Sequence, residues 1–171
     1  MLIQERSTHH STLTTRGRNM PLISQGQLFQ WGEQQALNAV FLKTQSPAAA
    51  PTYLALSTTA IGSLSSAETS MTGTTINEYA TATGYARQNY TPVAASAASP
   101  SQIWNTNQIT WGPFTSPPGT AVWAICCDVA SGAANPIAAF LMSATRTPAT
   151  GDSLQAAAGT GVAGVGFICR V

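Results

Sequence analysis

His9 and His10 are the only imidazoles in the chain, and Cys126, Cys127 and Cys169 are its only thiols. A serine or cysteine nucleophile needs a base within hydrogen-bond reach, and both histidines stand in a polar leading segment outside the apolar runs that would build a core. An adjacent His pair can hold a metal weakly, but no further Cys, His or carboxylate stands at ligand spacing beside it. The cysteines are odd in number and lie inside apolar runs, which reads as buried reduced thiols. Cys126 and Cys127 would point to opposite faces of a strand, with no local cation to lower either pKa.

The acids are Glu5, Glu33, Glu68, Glu78, Asp128 and Asp152, and a paired-carboxylate mechanism would need two of them across a cleft. Asp128 with Gly132, and Gly151 with Asp152, read instead as structural turns in which the carboxylate accepts nearby backbone N–H groups. GTGVAGVG, 159 to 166, lacks a phosphate-loop lysine and reads as a tightly packed strand. Arg87 is a lone charge between apolar neighbours. It reads as an internal anchor on a carboxylate such as Glu78, with a contact across an interface as the alternative. No catalytic residue, metal site or cofactor is expected, so a small hydrolase is only a residual reading.

The elements that would position these residues follow from pattern. Residues 1–22 lack an apolar period and read as an extended arm, leaving 23–171 as a single β-rich domain. Ser24 and Gln27 have capping-box spacing, which predicts a helix over about 25–43. Its apolar stripe, Phe29, Ala36, Leu37, Val40 and Phe41, should pack on the core, and Trp31 extends that stripe or points to a partner. TYLALS (52–57) and Tyr85 to Thr91 are predicted strands, with a long surface loop from Thr59 to Thr75 between them. An extended segment carrying Ile103, Ile109 and Trp111 leads into the sharp turn WGPFTSPPG.

AVWAICC, 121 to 127, is apolar on both faces and should lie centrally, with Val122, Ala124 and Cys126 facing one way and Trp123, Ile125 and Cys127 the other. PIAAFLM, 136 to 142, and Val162 to Cys169 complete the strands. The fold class is mainly β: a β-sandwich of about 6–8 short antiparallel strands with one N-terminal amphipathic helix and an extended N-terminal arm.

Charged residues are 8% of the 171, against roughly 25% in an ordinary soluble domain, and the net charge is +1. A surface so poor in charge fits a protein packed against neighbours in an assembly. With no basic run, nucleic acid has no counterion-releasing footprint to find. No secretory signal or run of ~18 apolar residues is evident, so no membrane partner is expected and assembly in a host cytoplasm is.

A short amphipathic helix, YLALSTTA (53–60), GYARQ (84–88), an Asn/Thr-rich strand ending at Trp111, DVASG (128–132) and TPATGD (147–152) follow one another along the chain. In that order of features residues 24–171 resemble a family of small tailed-phage virion proteins, labelled tail-fibre or capsid-associated structural proteins. The resemblance implies a β-sandwich displayed on a particle, without catalytic residues to carry over. The chain departs from the family in a longer loop from Ile61 to Asn77 and in its first 22 residues.

The expectation drawn from these features is a capsid cement or decoration protein on the virion's capsid surface. Its partners would be the major capsid protein and copies of itself, as a trimer. The arm, about 70 Å when extended, would thread across shell subunits with Arg6, His9, His10, Arg16 and Arg18 at the interface. The alternative is a tail-fibre or baseplate module binding a host surface glycan, with Trp31, Trp104, Trp111 or Trp123 stacking on sugar; most of these indoles read as core. The chain lacks the heptads, triplets or repeats of a fibre shaft.

Overall fold

The computed structural model describes residues 27–42, 52–92, 102–159 and 168–170. The fold is mainly β, with antiparallel sheets and one short α-helix. Its elements in chain order are β1 (Gln27–Leu28), α1 (Gln30–Leu37), β2 (Thr52–Ser57), β3 (Gln88–Tyr90), β4 (Gln102–Trp104) and β5 (Ile109–Trp111). The order continues through β6 (Ala121–Cys127), β7 (Pro136–Arg146), β8 (Leu154–Ala156) and β9 (Ile168–Arg170). A five-stranded sheet runs β1-β7-β6-β2-β3, and two ribbons pair β4 with β9 and β5 with β8.

AVWAICC becomes β6 at its predicted bounds and lies centrally, with all seven residues buried. Continuous apolar character is what a strand covered on both faces requires. On one face Ala124 and Cys126 join Leu54, Leu56 and Phe140 in a core that includes Ile109 and Trp111 of the β5–β8 ribbon. This ribbon is the second layer of a small sandwich. On the other face Trp123, Ile125 and Cys127 pack with Ala55, Phe29 and three side chains from the 58–77 loop.

Val122 breaks the predicted alternation and joins Trp123's face. The register between β6 and β7 shifts between Ala121 and Trp123, and a bulge adds a residue that sends the next side chain to the other face. The predicted surface loop is also more than surface. It contributes Leu64 and Met71 to the core, joined by Ile76 just beyond it, each at most 5% exposed. Burying each such side chain stabilises by about 1.5–3 kcal/mol. The loop's backbone is held without strands: Thr75 donates through both its N–H and its Oγ1 to Glu68 Oε1, at 2.8 and 2.7 Å, and Thr59 Oγ1 donates to the Thr75 carbonyl at 2.7 Å.

The helix is shorter than predicted and starts later. Residues 27–28 are drawn into the sheet as β1, where Leu28 pairs with Ala138. Phe29 stays extended at the N-cap, its N–H donating to the Ile137 carbonyl at 2.9 Å, and Gln30 N–H donates to the Ser66 carbonyl at 2.9 Å. Neighbouring chain thus satisfies donors that a capping box would have served. Ser24, Gln25 and Lys43 lie outside the described residues. After Leu37 the backbone widens into a π-helical turn, Asn38–Leu42.

Other bounds moved less. TYLALS is β2 as predicted, and β7 runs four residues beyond PIAAFLM. Within Tyr85 to Thr91 only Gln88–Tyr90 pairs as a strand, because Tyr85 and Arg87 turn toward Glu78. The closing strand is confined to Ile168–Arg170, and 160–167 lie outside the described residues.

Candidate functional site

The most strongly built polar cluster centres on Glu78. An isolated bridge pairs Ser57 with Glu78 at the end of β2, which delivers the carboxylate beside the GYARQ segment. Arg87 grips it with two prongs, Nε on Oε1 and Nη2 on Oε2, both at 2.7 Å. Nη1 donates to the Val129 carbonyl and Nη2 also to the Gly132 carbonyl, each at 2.9 Å. Tyr85 OH donates to Glu78 Oε1 at 3.0 Å and accepts the Leu56 N–H at 2.9 Å. Three motifs far apart in sequence, YLALSTTA, GYARQ and DVASG, are therefore fastened at one point. Arg87 is the internal anchor the sequence suggested.

The cluster's chemistry is structural. Burial, and then the adjacent Glu78 charge, push the Tyr85 hydroxyl far above the ordinary phenol range. Burial raises Tyr79 to about 12; its hydroxyl donates to the Gly119 carbonyl at 2.8 Å. Cys127 does have a cation nearby, contrary to the sequence reading. Arg87 favours its thiolate, but burial wins and pushes the thiol up to about 11. A thiol so poised is a poor nucleophile at neutral pH.

Asp128 accepts the Asn135 N–H on Oδ1 at 2.7 Å and the Asn135 side-chain amide on Oδ2 at 2.6 Å, closing the turn that carries Gly132 at φ 73°. Asp152 accepts the Ala149 N–H on Oδ2 at 2.8 Å, closing the turn that carries Gly151 at φ 88°. The second turn docks on the WGPF bend, with Phe114 N–H on the Asp152 carbonyl at 2.9 Å and Gly151 N–H on the Phe114 carbonyl at 2.7 Å. The two turns are separate; Asp128 and Asp152 serve their own loops. Arg6, His9, His10, Arg16 and Arg18 lie outside the described residues. Among the described residues no three His, Cys, Asp or Glu side chains group as metal ligands.

Of the tryptophans considered for sugar stacking, Trp111 and Trp123 are each 1% exposed. Trp111 donates Nε1–H to the Leu54 carbonyl at 3.2 Å, whereas the buried Nε1 of Trp123 has no partner among the described residues. Neither indole offers a face to a ligand. Trp31 is half-buried on α1, and Trp104 stands in β4.

Sequence reasoning missed the exposed apolar end of the helix. Leu37, Val40, Phe41 and Leu42 are 57, 68, 75 and 65% exposed, so most of the stripe expected to face the core faces outward. The helix is set against the sheet by Gly32, its one buried residue, whose Cα lies so close to Ile137 that an added Cβ would meet the Ile137 carbonyl oxygen. Helical periodicity shows that a stripe exists but not which way it faces. Gly32 was the available signal, because a glycine inside a helix so often marks a close approach.

A family model described as podophage GP4 fiber I protein gp80 matches residues 27–162. No curated protein matches the chain.

Proposed function

The chain belongs to the podophage GP4 fiber I protein gp80 family, a family of phage virion structural proteins, and on that premise we propose that it is a non-enzymatic module of a tail fibre. The family match, which spans β1 through β8, carries the proposal. The domain's polar chemistry agrees with it: the Glu78, Tyr85 and Arg87 side chains are spent on one another and on backbone carbonyls. The partners we propose are further copies of the chain and other particle proteins, with no cofactor, nucleic acid or membrane.

The cement or decoration role expected from composition is the competing reading, favoured by the scarcity of charge and by the absence of a shaft-like repeat in the sequence. Copy number separates the two. Protein stoichiometry in intact particles, compared with separated heads and tails, should place a small number of copies with the tails. A copy number matching the shell lattice and travelling with heads would replace the fibre proposal with the cement one.

A further inference from the structure

We propose that the outward end of α1 and its π-helical turn, bearing Leu37, Val40, Phe41 and Leu42, is the surface on which a second copy of this chain docks. Between Gln30 and Leu42 only Gly32 is buried, and none of the π-helical residues is. A helix this short is marginal in water without an amphipathic face to pack, and a π turn is rarer still and concentrates at functional sites. Among the described residues, little packs on this helical segment. A second helix laid along it supplies the missing contact.

Area and charge select the occupant. The four exposed side chains offer roughly 500 Å² of largely apolar surface, at the upper end of patches found on monomers and more than half of the ~800 Å² each partner gives a standard interface. The stretch from Ala36 to Leu42 contains no charged residue. A partner face bearing Lys, Glu or Asp would lose its hydration here and gain no counter-charge. The same patch on another copy is apolar, neutral and matched in size, and identical patches brought together form a self-complementary interface that needs no further component.

The inference deepens the proposed function by naming the surface on which its further copies meet, and rests on it for that partner; the purified full-length chain tests it without particles. Sedimentation velocity over a concentration series should show association in the parent chain, and Val40→Glu and Phe41→Glu should each weaken it about tenfold or more, with unchanged circular dichroism. If a Glu variant fails to fold, Val40→Cys provides the second measurement. A bismaleimide should join two copies through position 40, with the parent chain as blank and exposed Ile61→Cys as the control that does not join.

A parent chain that stays monomeric throughout the series would overturn the proposal. So would folded Glu variants that associate like the parent, or cross-linking as efficient at 61 as at 40. A monomer that still enters tails would remove the self-docking surface and leave the fibre reading standing. An oligomer that travels with heads would keep the surface and remove that reading.

Discussion

The guanidinium of Arg87 lies edge-on to the Glu78 carboxylate, two parallel N–H···O bonds of 2.7 Å, with the arginine side chain 5% exposed. Removing one partner from such a pair leaves the other charge buried without a counter-ion. Arg87→Ala and Glu78→Gln should each cost about 3–5 kcal/mol in urea denaturation. Arg87→Lys should rescue little, because an ammonium cannot span both carboxylate oxygens and the carbonyls of Val129 and Gly132 together. A cost below ~1 kcal/mol for Arg87→Ala would class the pair with surface ion pairs.

Tyr79 and Tyr85 set an alkaline limit. Both hydroxyls have folded-state pKa values above the ordinary ~10, Tyr79 at about 12 and Tyr85 higher, so both favour the fold while protonated. Their contribution is complete below pH ~10 and is lost as pH rises from there through the folded values. Absorbance titration should show the Tyr79 and Tyr85 hydroxyls ionising well above pH ~10 or on unfolding, with denaturation midpoints falling above pH ~10. Ionisation of all four near pH 10 with the fold intact would contradict the packing described.

Cys127 should resist thiol reagents in the native state. Its thiol is buried, donates to the Val129 carbonyl at 3.5 Å and is raised to about 11, so the reactive thiolate is scarce at neutral pH. Labelling at pH 7.5 with mass readout should modify Cys127 only when denaturant opens the fold. Rapid native labelling at that position would mean the second core face is accessible.

Gly112 and Gly132 share a positive φ, 99° and 73°, but not their surroundings. A Cβ on Gly132 meets nothing within 4 Å, whereas one on Gly112 would lie 2.8 Å from the Asp152 carbonyl oxygen. Gly132→Ala should cost only the left-handed backbone penalty of about 1–2 kcal/mol. Gly112→Ala should cost visibly more and lower the thermal midpoint further, since the bend and the Asp152 turn must separate. Equal losses would show that the two turns do not bear on each other.

Gly32→Ala tests how α1 is seated. The added methyl would meet the Ile137 carbonyl, which is backbone and cannot swing away. Strain of about 1–3 kcal/mol is expected, against a gain of up to ~1 kcal/mol in helix propensity. A net rise in the thermal midpoint would mean that the helix is not held at this crossing.

Much of the sheet was legible because its signals are local. TYLALS and AVWAICC carry their strand character in a few residues, and the central place of β6 followed from its two apolar faces. The turns at Asp128 and Asp152 could be located for the same reason: an Asp beside a glycine accepts from backbone only a few residues away. Periodicity could not say that Leu37, Val40 and Phe41 turn outward, since direction depends on where Gly32 meets Ile137, about a hundred positions later. Nor could it place Leu64, Met71 and Ile76 in the core, because they follow no regular spacing and are held by the Glu68–Thr75 contacts. Val122 was misplaced by a bulge that only pairing with β7 reveals.

The two-residue pairing of β1 with β7 also shapes how the domain meets tension. A pull transmitted through the chain ahead of Gln27 arrives first at two residue pairs, Gln27 with Ala139 and Leu28 with Ala138, and then at the Gly32 crossing. Behind them stands the β7-β6-β2 sheet, whose central strand β6 is buried on both faces. Under such a pull the entry strand and helix would give way before the central sheet and the Arg87 clamp.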